Sequence, residues 1–154
     1  RHTQNVDFEV MSFFEEFNWI DIVKHEKGAK SPWCVDGEWN YWYMHPNQED
    51  NLITLNWNRF VELYNNKEHK IEQFEISYKW IKRNWKIILE GPWILGWPIN
   101  VFHRHYSPDG STSMNFAIRW SSFDLDTEFN IYDLNIKTWK YKVVRKGKLD
   151  QPKK

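Results

Sequence analysis

From Phe74 to Trp80 the chain alternates: Phe74, Ile76, Tyr78 and Trp80 are apolar, with Glu75, Ser77 and Lys79 between them. A period of two places the first set on one face of a strand and the second on the other, as in a half-buried antiparallel strand. Met114, Phe116, Ile118 and Trp120 repeat the pattern against Asn115, Ala117 and Arg119. Between these runs, Trp85, Ile87 and Leu89 continue in the opposite register after Ile81-Lys82-Arg83-Asn84, a shift that a bulge or a turn produces. A short strand is expected around Trp39 to Met44, another over Ile99 to Tyr106, and a long last one over residues 129–146, where the inward set changes from Leu134 and Ile136 to Trp139, Tyr141 and Val143.

Two segments carry a helical period instead. Trp57, Phe60, Val61 and Tyr64 recur at i, i+3, i+4 and i+7, with Asn56 placed to cap a short helix. Val10, Phe13, Phe17 and Ile20 have helical spacing within residues 6–26, although Phe8 and Val10 also alternate with Asp7 and Glu9 as in a strand. Gly28 suits a stop, Gly91, Pro92, Gly96 and Pro98 punctuate a loop, and Pro108-Asp109-Gly110 forms a turn. The pattern predicts a mainly β protein: an antiparallel β-sandwich, jelly-roll-like, or a barrel, with one or two short helices. The 154 residues suit a single β domain, 1–154, ending in a polar, basic tail at 147–154. Arg at position 1 fits a fragment of a longer product.

Composition sharpens this picture. Eleven Trp, ten Phe and seven Tyr suit an aromatic-rich β core, or stacking platforms and a large interface. Lys and Arg balance Asp and Glu, 21 against 21, which disfavours a body that grips nucleic acid through phosphates. No apolar run of about 18 residues is present to span a membrane. Cys34 is the one cysteine, so no intrachain disulfide forms, and beside Trp33 it reads as a small buried residue rather than a nucleophile. The Gly residues are dispersed, leaving no phosphate loop.

The chemistry-bearing candidates gather in GPWILGWPINVFHRHYSPDG, residues 91–110. His103 and His105 share a strand face, as a pair of metal ligands would. A familiar strand-borne metal site adds a Glu a few residues later and a further His from a distant strand. After His105 the next acid is Asp109, and His45 or His69 could complete the set. The metal reading is therefore secondary, and neither a cofactor nor enzymatic activity is expected. Trp93 and Trp97, with Tyr106, could stack on a sugar or apolar ligand or enter a neighbouring subunit. His103 and His105 at such a rim would make a pH-sensitive subunit contact.

One passage has a family likeness. SPW at 31–33, followed by NWNRFVELYNNKEHKIEQFEISYKWIKR at 56–83, resembles capsid proteins of small single-stranded DNA viruses of the parvovirus type. In those, an aromatic Pro-Trp loop precedes a short helix that leads into an alternating strand. Trp57, Arg59, Phe60 and Leu63 match the helix, and Phe74, Ile76 and Trp80 the strand. NIYDLNIKTWKYKV at 130–143 is similar to the last strand of a viral jelly roll. The resemblance implies a structural protein of the virion, or of the host cell interior, that self-assembles as a homo-oligomer. Nucleic acid would meet the terminal cluster Lys146, Lys148, Lys153 and Lys154. The alternative expectation is an aromatic-rich domain that binds carbohydrate or a small apolar ligand.

Overall fold

The computed structural model describes residues 6–11, 18–32 and 39–150. Fourteen strands are described: β1 (Val6–Met11), β2 (Trp19–His25), β3 (Ala29–Ser31), β4 (Trp42–Tyr43), β5 (Gln48–Asn56), β6 (Arg59–Asn65), β7 (Lys70–Ile76), β8 (Trp80–Arg83), β9 (Lys86–Glu90), β10 (Leu95–Trp97), β11 (His103–Ser107), β12 (Ser111–Arg119), β13 (Ile131–Leu134) and β14 (Tyr141–Arg145). A single-turn helix, α1 (Leu125–Glu128), lies before β13, and a 3-10 turn at Gly147–Asp150 follows β14. One sheet has the order β1-β2-β12-β5-β10. The other runs β14-β13-β4-β11-β6-β7-β8-β9, with β3 added against β11. Leu52 and Trp97 from the first sheet pack on Val61, Phe74, Ile76 and Ile81 from the second, which makes the pair a β-sandwich. A further aromatic cluster joins Trp42, Tyr64, Phe102 and Tyr132. Among the described residues no helix is long and apolar enough to cross a membrane.

The helix expected over 57–64 is instead the turn at Trp57 and Asn58 followed by most of β6. The chain reverses at Trp57, whose φ is +56°. A short apolar run fits either period, and here long-range pairing decides: β6 is held by β7 from Arg59↔Ile76 to Asn65↔Lys70 and by β11 on its other side. The same holds for residues 6–11 and 19–25, where β1 pairs with β2 from Val6↔His25 to Met11↔Ile20, and β2 in turn pairs with β12. Phe13 and Phe17 lie outside the described residues, as do Trp33 and Cys34.

The parity shift after Trp80 has both proposed causes. Asn84 and Trp85 form a two-residue turn with φ of +47° and +70°, and the β8–β9 register slips between Ile81 and Lys82. The long last strand is a hairpin: Asn135 Oδ1 accepts from the backbone N–H groups of Lys137 and Thr138, and Trp139 takes a φ of +65°. The strand expected from Ile99 begins at His103. The loop at 90–98 contains β10, pressed so closely on β5 that a Cβ on Gly96 would lie 2.4 Å from Asn51 Oδ1. The tail at 147–154 starts as packed structure, since Gly147 is buried and donates its N–H to Asn130 Oδ1 at 2.8 Å. Lys153 and Lys154 lie outside the described residues.

The largest departure concerns β12. Its buried face is Ser111, Ser113, Asn115 and Ala117, while Met114, Phe116 and Ile118 sit half-buried on the outer face. β2 and β5 agree with it, turning Asp21 and His25, and Gln48, Asp50 and Thr54, inward. Part of the sandwich interior is therefore polar.

Candidate metal and ligand site

That polar interior encloses a cavity of ≈ 70 Å³ between the sheets. His45, from the segment after β4, Asp50 on β5 and His103 at the start of β11 converge there, and all three are buried. His45 Nε2 stands 3.5 Å, and His103 Nε2 3.8 Å, from Asp50 Oδ2. The three donor atoms lie within 4.8 Å of one another. Donors bound side by side to one transition ion, at the usual bond length of about 2.1 Å, stand roughly 3.0–3.5 Å apart, so little movement would close the set on an ion.

The orientation of the rings is the more telling observation. His45 Nδ1 donates to the backbone carbonyl of Glu128 at 2.5 Å, and His103 Nδ1 donates to that of Val101 at 3.0 Å. A carbonyl oxygen only accepts, so each ring carries a proton on Nδ1 and turns Nε2 to the centre, where a neutral imidazole presents a lone pair. Asp50 is fixed as well: Oδ1 accepts from Gln48 Nε2 and Asn115 Nδ2, both at 2.7 Å, which leaves Oδ2 towards the imidazoles. Burial, with His45 nearby, holds His103 down to a pKa of about 3, so its lone pair is available at neutral pH. A two-histidine, one-carboxylate set with second partners of this kind fits a divalent transition ion.

The same cavity is also lined by His25, Arg59, Trp97 and His105. Burial, and then the charge of Arg59, lowers His25 to about 2, and burial lowers His105 well below its usual value. These imidazoles are neutral and enclosed, so His103 and His105 are not the pH-sensitive subunit contact expected of a rim. Four of the sequence candidates thus divide. His103 is part of the convergent set. His105 shares its face, with ring centroids 5.4 Å apart, but stands beyond that set. Trp97 is 5% exposed and forms the cavity wall, 5.2 Å from His103 between ring centroids, rather than a surface platform. Trp93 is 49% exposed and donates Nε1 to the Glu90 carbonyl, away from the cavity.

Tyr106 points to the opposite face of β11, where it meets Phe60 and Trp39. His69, the other optional third ligand, contacts Trp139 instead. Lys146 and Lys148 are exposed near the packed start of the tail. Asp50 escaped the sequence reading because NQEDN reads as a polar loop. The signal was its period-two placement with Gln48, Leu52 and Thr54, the inward set of β5.

No family model and no curated protein matches the chain. Solved structures do. CapF with the inhibitor 3-isopropenyl-tropolone is similar over 86% of this chain, with a TM-score of 0.56 at 10% identity. The capsular polysaccharide assembling protein CapF from Staphylococcus aureus is similar over 94%, with a TM-score of 0.53 at 7% identity. The fold is a jelly-roll β-sandwich. The chain spans 33% of each of those two CapF chains, and at such identities the likeness is one of fold. A cupin domain of Cnp3 from Schizosaccharomyces pombe aligns with 77% of this chain and 68% of its own at a TM-score of 0.48 and 11% identity, too low to argue from.

Proposed function

We propose that this jelly roll holds a divalent transition metal ion on His45, Asp50 and His103 and binds a small ligand in the adjoining cavity. The reading rests on one observation: both imidazoles donate Nδ1–H to backbone carbonyls and turn Nε2 to the same carboxylate oxygen. Three protein donors leave open positions on an ion, which would polarise a ligand oxygen bound beside it. The ligand-binding expectation is kept, but its site moves from the Trp93 loop to the interior.

Chelator-treated protein titrated with Mn²⁺, Fe²⁺, Co²⁺, Ni²⁺ and Zn²⁺, followed by elemental analysis after gel filtration, tests it. One ion per chain is expected in the wild type, and a loss of at least tenfold in affinity in D50N and H103Q. Wild-type protein that retains none of these ions rejects the reading.

Capsid-type self-assembly, with nucleic acid at the basic tail and a place in a virion, is a second reading. The helix behind that resemblance is a turn and the strand β6, but another feature favours association. All five residues of edge strand β9 are exposed. Two copies paired antiparallel about Ile88 would set Lys86 against Glu90 of the other copy and Ile87 against Leu89. Sedimentation velocity over a concentration series decides it, and a monomer at every concentration rejects it.

A further inference from the structure

Arg59 begins β6 with its side chain inside the sandwich, 4% exposed, and neither its Nε nor its Nη1 has a hydrogen-bond partner among the described residues. The acids near the cavity are otherwise engaged. Asp50 is held by Gln48 and Asn115 and faces the two imidazoles. Asp21 accepts from Trp19 Nε1 and lies 3.9 Å from Arg119, and Glu128 accepts two hydrogen bonds from Asn47. A buried guanidinium without a paired anion is costly, because its hydration is lost and nothing replaces it. Burial lowers the Arg59 pKa to about 9 although the charge of Asp50 acts to raise it, so the guanidinium stays charged at neutral pH with Asp50 as a partial counter-charge and no hydrogen-bonded anion on Nε or Nη1.

Other polar nitrogens of the cavity are in the same condition. Trp97 Nε1, which can only donate, has no partner, and neither do His25 Nε2 and His105 Nδ1. All line one cavity. The unpartnered Arg59 and Trp97 nitrogens can only donate, and each of the two imidazole nitrogens donates in one of its tautomers, so the set describes the ligand by its complement: an anion rich in acceptor oxygens. The charge points the same way. With a divalent ion in place, Asp50 offsets one of three positive charges, and the histidines add none. The size of the cavity, ≈ 70 Å³, holds about five water-sized groups. Its wall also includes Val23 and Leu52, which suit a carbon skeleton better than the remaining oxygens of a phosphate.

We propose that Arg59 anchors the carboxylate of a small organic acid in this cavity, with the forked guanidinium facing the two carboxylate oxygens. The identity of the ligand class rests on the small-ligand reading above; the Arg59 contact does not depend on the metal.

Thermal unfolding and isothermal titration of the full chain test this, in chelator-treated and in metal-loaded protein. The probes are acetate, oxalate, malonate and pyruvate, with acetamide, oxamide and inorganic phosphate as controls. At about 100 times its Kd a carboxylate should raise Tm by roughly 5–10 °C, with the matching amide at least tenfold weaker. R59M should lose at least tenfold in carboxylate affinity while still taking up metal at wild-type stoichiometry, and R59K should fall between. Carboxylate binding that needs Arg59 in metal-free protein supports the anchor even if no metal binds, in which case only the metal reading fails. The anchor is overturned if metal binds but no carboxylate does, if amides or phosphate bind as well as carboxylates, or if R59M and R59K keep wild-type affinity. Should R59M not fold, R59K and the carboxylate–amide comparison in wild-type protein decide alone.

Discussion

His25 is 2% exposed, with Nδ1 against Ser107 Oγ at 2.9 Å and Ser107 in turn 2.8 Å from Ser111 Oγ. Burial and the neighbouring Arg59 charge lower its pKa to about 2, against 6.5 for the unfolded chain. Between those values the unfolded chain takes up a proton that the folded chain refuses. The stability is therefore full above pH 6.5 and is lost as pH falls towards 2, at about 1.4 kcal/mol per pH unit for one residue. Urea unfolding of metal-free protein between pH 6.5 and 4 should show this, and H25Q should reduce the slope by about one proton; an unaltered slope would refute the assignment. At this scale the sequence was partly legible. Period two alone placed His103 and His105 on one face. Asp50 followed the same period, but its polar neighbours made the strand read as a loop, and Arg59 read as one matched position of a short helix.

Helix α1 shows how a short element positions a ligand-bearing side chain. Asp124 caps it by accepting from Asp126 N–H, and Glu128 at its end is fully buried. The Glu128 carboxylate accepts from the backbone N–H and the side chain of Asn47 at 3.1 and 2.6 Å, while its own carbonyl receives His45 Nδ1. The clasp thus ties α1 to the His45–Asn47 segment. E128A should cost about 1–3 kcal/mol, because Asn47 loses its acceptor, and should weaken metal binding by about 10–100-fold through His45. Chemical denaturation and metal titration check the two parts; unchanged metal affinity would separate α1 from the site.

Element type was legible where alternation was long, as in β12, but the alternation from Phe74 to Trp80 ran through a turn at residues 77–79, where Ser77 N–H bonds the Trp80 carbonyl and separates β7 from β8. It was not legible where an apolar run was short enough to fit both periods, as in β6. Even in β12 the period identified the strand but not its inward face. The rule that apolar side chains point inward fails here, because Ser113 and Asn115 help build a polar cavity wall.

Across the molecule, aromatic residues divide between two tasks. Trp42 and Trp97 are buried, whereas Trp57, Trp85 and Trp93 are exposed, the last two near the β8–β9 edge. Composition announced an aromatic-rich β protein but could not apportion its rings between core and surface, since that depends on which strands end up at an edge. The exposed Lys86-Ile87-Ile88-Leu89-Glu90 edge makes one prediction at this scale. I88K would bring two lysines together at the axis of a β9–β9 pair, so any concentration-dependent association of the wild type should shift to monomer in sedimentation, with metal uptake unchanged. Association that persists in I88K would place the contact elsewhere.

The buried guanidinium of Arg59, with Nε and Nη1 lacking hydrogen-bond partners, also bears on how long the protein survives. Filling the cavity with its anion removes a cost that the empty fold carries, so the filled protein opens less often. Proteases cleave the opened chain, and under fast reclosing the rate follows its population. Residence of the ligand would then set the lifetime of the polypeptide: copies that find their acid persist, and copies that do not are cleared first.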